Sequence, residues 1–186
     1  PLTWETVLLL AEIMEMYGWG RTAVLLLVSF VGLLRIGEAL RIRAGDVIFY
    51  GSEAVIHLPT TKTGRDQPVR VSEGGVVEAL RCLIALLQPT DFLVQASYYV
   101  LRARLRTAPR IIGVDPTRYV WHSLRHGGAT WYYLGGEALD NVAHRGRWRS
   151  LQTARRYIQM GVALIGSTRP SARMQERAQR AQKHWP

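Results

Sequence analysis

Arg35 follows directly on an apolar run from Thr22 to Leu34, and a charge placed there needs a partner or an anionic ligand. Glu38, three residues on, is the simplest partner, at the i,i+3 spacing of a helical ion pair. Lys62 stands in Thr61-Lys62-Thr63-Gly64, between two β-rich runs. A lysine at a turn is ordinarily a solvated edge residue. This chain nearly avoids lysine, however: of its 24 Lys and Arg, only Lys62 and Lys183 are lysine. Arginine stays protonated, whereas lysine releases a proton when its surroundings shift its pKa, so Lys62 is a candidate general acid. His122 and Arg125 are three apart in Trp121-His122-Ser123-Leu124-Arg125, on one face of a helix. Together they can bind one anion, and His122 can also move a proton. Trp148 and Tyr157, taken separately, read as a core residue and an amphipathic edge residue.

The composition narrows the partner. The chain has 186 residues, enough for one domain with a tail, and 48% of them are apolar, which excludes a wholly disordered chain. Its net charge of +10 is carried almost entirely by arginine. A globular, arginine-rich chain this basic points to a polyanion, most simply nucleic acid, because the planar guanidinium fork grips two phosphate oxygens at once. The single cysteine, Cys82, excludes a disulfide framework and a cysteine-based zinc site within the chain, and reads as a small core residue. The run Thr22–Leu34 falls well short of the ~20 residues that span a bilayer, so a membrane segment is not expected. The first residues lack the basic n-region of a secretion signal, and an intracellular chain is expected.

The elements that must position these residues are mostly helical. Helices are expected over Thr3–Tyr17, capped by Thr3, and over Arg21–Leu34, apolar nearly all round and therefore central. A short helical turn follows at Gly37–Arg43. Val47–Tyr50, Ala54–Leu58 and Pro68–Val71 are β-rich, with turns at Gly51-Ser52 and Thr63-Gly64-Arg65-Asp66, which predicts a three-stranded antiparallel sheet in an otherwise helical chain. Further helices are expected over Glu73–Leu87, Ser97–Thr107, Tyr119–Leu134, Glu137–Arg145 and Ser150–Met160. The reading is one domain over 1–165 and a basic tail over 166–186.

In this order, arginine, hairpin lysine, His-x-x-Arg, tryptophan and tyrosine, the chain resembles the catalytic domain of the tyrosine recombinase (phage integrase) family. The resemblance covers roughly residues 5 to 160. Leu33-Leu34-Arg35-Ile36-Gly37-Glu38-Ala39-Leu40 resembles the family's first arginine box, and Thr61-Lys62-Thr63 before Pro68-Val69 its lysine hairpin. Trp121-His122-Ser123-Leu124-Arg125-His126 resembles the second arginine box, and Gly146-Arg147-Trp148 to Tyr157 has the family's spacing to the nucleophile. Each box is weak alone; the ordered set is specific. Two departures stand out. Trp148 occupies a position where most members carry a second histidine, so it donates one N–H but shuttles no proton. Gly127-Gly128 stands where the family more often has bulkier residues. Members also usually carry an N-terminal helical DNA-binding domain that completes a clamp around the duplex, whereas the resemblance here starts almost at the first residue.

The resemblance implies DNA strand cleavage and rejoining through a covalent 3′-phosphotyrosyl link, with neither metal nor ATP. Tyr157 would be the nucleophile, Arg35 and Arg125 would hold the non-bridging phosphate oxygens, and Lys62 would protonate the leaving 5′-oxygen. His122 would assist proton transfer at Tyr157, and Trp148 would bond the phosphate or buttress the tyrosine. Glu38 would orient the first arginine box. Arg102, Arg104, Arg106, Arg147, Arg149, Arg155 and Arg156 are expected contacts to the DNA backbone. A homotetramer on two duplexes is implied, located with the DNA in nucleus or nucleoid. The alternatives are an integrase-like domain that binds DNA without cutting it, and a type IB topoisomerase-like enzyme that relaxes DNA without exchanging partners.

Overall fold

Thr3 caps the first helix: its hydroxyl accepts from Thr6 N at 3.3 Å. Helix α1 then runs over Trp4–Met16, and α2 over Gly20–Val31 packs along it. The computed structural model describes residues 2–60, 64–111, 115–166, 176–177 and 179–180. Every residue of α2 from Thr22 to Val31 is buried, so this helix is the centre of the molecule, as its all-round apolar character requires.

Helix α2 ends earlier than its apolar run. Leu33 takes a left-handed backbone (φ +49°), Leu34 N donates back to Ser29 O at 3.0 Å and Leu33 N to Phe30 O at 3.3 Å. This is a Schellman closure with leucine, not glycine, in the left-handed place. Leu33 and Leu34 are fully buried, and their burial offsets a backbone cost of about 1 kcal/mol. Local apolar character therefore extended beyond the helix, which is why the sequence suggested a helix to Leu34.

A four-residue helix, α3 (Ile36–Ala39), and a 3-10 turn at Ala44–Asp46 lead into the sheet. Strands β1 (Val47–Tyr50), β2 (Glu53–Thr60) and β3 (Arg65–Val71) form it in the order β1-β2-β3, all antiparallel. Val47 pairs with Ile56, and Ile56 with Val69, so Ala54, Ile56, Leu58, Val69 and Val71 share the buried face. The expected turn at Gly51 is present, with φ +56°. Strands β2 and β3 are longer than their apolar runs suggested; residues 61–63, with Lys62, lie outside the described residues.

Helix α4 (Gly74–Ile84) covers the sheet with Val76, Val77, Leu80 and Leu83. Cys82 falls off that stripe and is exposed, which corrects its assignment to the core. Helices α5 (Tyr98–Ile111), α6 (Trp121–Leu134), α7 (Leu139–Arg145) and α8 (Leu151–Gly166) follow. Helix α6 lies hard against α2 and the residue that leads into α1: a Cβ on Gly128 would stand 2.2 Å from Phe30 O, and one on Gly127 2.0 Å from Leu2 O. That contact explains why two glycines occupy a helix interior, where they otherwise destabilise. Helix α8 closes on α6 in the same manner, Gly161 meeting Thr130. No helix among the described residues is long and apolar enough to cross a membrane.

Candidate active site

The C-terminal end of α2 organises the site. A helix leaves its last carbonyls without backbone partners and carries a partial negative charge there. Here the partners are cationic or phenolic side chains from distant segments. The Tyr132 hydroxyl lies 3.0 Å from Val31 O. Arg147 Nη1 donates to Gly32 O at 3.2 Å, and Arg147 Nη2 to Leu33 O at 3.1 Å. Leu33 O also accepts from Arg125 Nη1.

Arg125 is 1% exposed, the most deeply buried charged residue described. Its Nη2 donates to Gly146 O, and its guanidinium carbon stacks 4.3 Å from the Trp148 ring centre. Burial, with Arg35 and Arg147 adding like charge, pushes its pKa down to about 9, so it keeps its proton at neutral pH. The two carbonyl bonds use two of five N–H groups and leave the remainder for another acceptor.

Arg35 stands at the entry to α3, about a quarter exposed at its side chain. Its backbone N–H donates to Glu38 Oε2 at 2.8 Å and its Nη1 to Oε1 at 2.7 Å. The pairing expected from the i,i+3 spacing is therefore formed, but Glu38 has a second cation as well: Arg147 Nη2 reaches Oε2 at 2.9 Å. Burial alone would raise the Glu38 pKa; Arg147 and then Arg35 more than reverse that, and the carboxyl titrates below its ordinary range. Two guanidiniums thus meet one carboxylate, and Arg125 adds a third positive charge nearby, which leaves a net positive field for an anion.

His122 and Tyr157 face that field. His122 Nε2 lies 3.3 Å from the Tyr157 hydroxyl. Burial, followed by the Arg125 and Arg35 charges, lowers the His122 pKa, so the imidazole is mostly neutral near pH 7 and can accept a proton. Trp148 meets the Tyr157 ring edge-on at 5.3 Å. Arg35, His122, Arg125, Trp148 and Tyr157, spread over more than a hundred residues of sequence, are thereby brought together. Lys62 lies outside the described residues.

His126 carried no role in the sequence reading, yet its ring lies 4.1 Å from that of Tyr157 and 4.7 Å from that of His122. Its signal was the i,i+4 spacing from His122. Burial first, with His122 and Arg125 adding, pushes its pKa down to about 4, so it is a neutral packing ring at physiological pH.

The expected DNA-backbone arginines divide in two. Arg102, Arg106, Arg149, Arg155 and Arg156 are exposed. Arg104 is turned inward, its Nη1 on Thr22 Oγ1 and its guanidinium over Trp19 at 5.3 Å. Arg147 is only 9% exposed, with both η nitrogens engaged by protein acceptors, so it is not a surface phosphate contact; residue type and neighbours gave no sign of that burial. Beside Trp148 and Arg149, a cleft of about 700 Å³ opens against Val55, Pro68 and Arg70 of the sheet.

The mainly helical fold with one three-stranded antiparallel sheet is that of a tyrosine recombinase catalytic domain, and in it a buried arginine, a histidine three residues before it and a tyrosine on α8 come together. The sequence matches the phage integrase family over residues 4–162, and the chain belongs to that family. Similar solved structures include the XerH site-specific recombinase bound to its difH substrate in a pre-cleavage complex (TM-score 0.69, 20% identity, 84% of this chain and 49% of that one). XerH in a post-cleavage complex with palindromic difH is similar at TM-score 0.69 and 19% identity, covering 89% of this chain and 51% of that one. The XerA recombinase is similar at TM-score 0.70 and 20% identity, covering 91% of this chain and 63% of that one. This chain thus spans between about half and two thirds of their lengths. No curated protein matches it.

Proposed function

We propose that the chain cleaves and rejoins DNA strands through a 3′-phosphotyrosyl intermediate formed on Tyr157, as part of a site-specific recombinase. The single observation that carries this reading is the Tyr157 hydroxyl, 3.3 Å from a histidine held neutral, beside two converging arginines. In the forward step the Tyr157 oxygen forms a bond to the scissile phosphorus and its proton passes to His122. The bond from phosphorus to the 5′-oxygen breaks, and that oxygen takes a proton from Lys62. Arg35 and Arg125 stabilise the charge that builds on the non-bridging oxygens. Trp148 buttresses the phenol and the Arg125 guanidinium. A 5′-hydroxyl of a second strand reverses the chemistry, and because the phosphotyrosyl link conserves the phosphodiester energy, no nucleotide is consumed.

Double-stranded DNA is the partner, held electrostatically by the exposed arginines around α8. Two duplexes need more than one copy. An apolar groove of about 660 Å³ lined by Tyr133, Leu139, Ile158 and Val162 supports self-association into the tetramer that recombination on paired sites requires.

The test uses nicked duplexes with a randomised centre, since cleavage beside a nick traps the covalent product by losing the short 5′-strand. The wild type is expected to yield a protein–DNA adduct that survives detergent, and Tyr157→Phe none. An adduct with Tyr157→Phe would exclude Tyr157 as nucleophile. DNA binding without any adduct from the wild type would favour a binding module.

A further inference from the structure

We propose that Arg147 is a positioning residue that joins Arg35 and Arg125 into one anion-binding unit, through acceptors it shares with each of them. The proposal rests on the phosphate-binding role given above to Arg35 and Arg125. On the Arg35 side the shared acceptor is Glu38: its Oε2 takes both Arg35 N and Arg147 Nη2, at 2.8 and 2.9 Å, while Oε1 takes Arg35 Nη1. On the Arg125 side it is the Leu33 carbonyl, which takes both Arg125 Nη1 and Arg147 Nη2. Arg147 Nη1 completes the set on Gly32 O and Arg145 O. With each η nitrogen on two protein acceptors, Arg147 has no η N–H left for a phosphate, and its unpartnered Nε is buried away from the surface. Its contribution is geometry and charge, not contact.

Two further features separate this from incidental burial. Arg147 holds a left-handed backbone, φ +56°, a conformation that L side chains rarely adopt and that persists where the surroundings over-determine it. It also stands in the turn between α7 and α8, beside Gly146, whose carbonyl accepts from Arg125 Nη2, and Trp148, whose ring stacks on Arg125. The turn that leads to the helix carrying Tyr157 is thereby registered against both phosphate-binding arginines. Lysine cannot substitute, because one ammonium nitrogen cannot span acceptors that a guanidinium reaches with two separated nitrogens.

The test reads the side-chain Nε–H resonances of Arg35 and Arg125, assigned through Arg35→Lys and Arg125→Lys, in the wild type, Arg147→Gly and Arg147→Lys, with and without inorganic phosphate. Glycine suits the left-handed backbone, and lysine keeps a charge opposite Glu38, so the two variants fail to fold for different reasons if at all. In the wild type both signals are expected to be dispersed, slow to exchange and shifted by phosphate. In either folded variant both are expected to collapse toward the solvent-exposed arginine position and to lose the phosphate-induced shift. Signals of Arg35 and Arg125 that stay ordered and responsive in a folded Arg147 variant would overturn the proposal. Ordered wild-type arginines that phosphate does not move, but that Arg147→Gly releases, would support the brace and sink the phosphate-binding reading instead.

Discussion

The guanidinium of Arg125 lies over the Trp148 ring, 4.3 Å from its centre, and the ring itself is held against Gly146. A Cβ on Gly146 would stand 1.8 Å from Cζ3 of that tryptophan. Gly146→Ala therefore displaces the ring, and with it the face on which Arg125 and Tyr157 rest. A loss of about 1–3 kcal/mol, the usual range for overpacking, is expected in denaturant melts, together with a changed tryptophan emission. An unaltered melt and spectrum would show that the ring has room to move.

The glycine pair of α6 makes a second prediction from the same physics. At Gly128 the obstacle is backbone, Phe30 O at 2.2 Å, which cannot rotate aside. Gly128→Ala should cost at least as much as Gly146→Ala, despite alanine's better helix propensity. Thermal melts of the two variants side by side decide it; a stabilised Gly128→Ala would mean that α6 and α2 can separate without penalty.

Proton transfer at Tyr157 should follow the ionisation of His122. Burial and the neighbouring arginines keep its pKa below the ordinary histidine value, so the neutral, proton-accepting form dominates at and above neutrality. The rate of adduct formation is expected to be flat between about pH 7 and 8, to fall in acid below about pH 6.5, and to fall again as Arg125 loses its proton near pH 9. His122→Asn should lower the plateau by about 10²–10⁴-fold and remove the acid limb. An acid limb retained in that variant would assign the titration to another group.

His126 makes a prediction about stability, with the opposite emphasis. Its folded pKa is depressed to about 4, below the ordinary unfolded value of about 6.5. The unfolded chain therefore binds the proton first as pH falls. Stability is full above pH 6.5 and is lost progressively between about 6.5 and 4, by roughly 1–2 kcal/mol after discounting for the part of the ring that solvent reaches. His126→Phe keeps a packing ring and removes the titration, so its melting temperature should fall less over that window than the wild type's.

The arginines should separate in a salt titration of DNA binding. Neutralising exposed Arg149, Arg155 or Arg156 is expected to lower the slope of log affinity against log salt by about 1 each. Arg104→Ala should leave the slope unchanged and cost about 1–2 kcal/mol of stability, through the lost Trp19 and Thr22 contacts. Equal slopes for all four would place Arg104 at the DNA and contradict its inward packing.

Much of this site was legible in the sequence because its information is local. Arg35 and Glu38 sit at a spacing that pairs them in any helical turn, and His122 and Arg125 share a face for the same reason. The alternation of Ala54, Ile56 and Leu58 names its buried face without reference to the rest of the chain. The two boxes, the hairpin lysine and the tyrosine appear in an order that few unrelated sequences share, and the family assignment follows from that order.

What the tertiary structure decided is which charges lie inside. Arg147 and Arg149 are two residues apart and alike in type, yet one is a buried brace and the other exposed, because only one meets the open carbonyls at the end of α2. That meeting depends on where α2 stops, and α2 stops at Val31 because Leu33 and Leu34 bury themselves by turning, which no helix propensity encodes. His126 acquires its place against Tyr157 only when α8 packs on α6 at Gly161 and Thr130. Spacing along the chain sets which neighbours share a face; long-range packing sets which of those faces is closed to water, and burial is what turns an arginine from a solvated charge into part of a site.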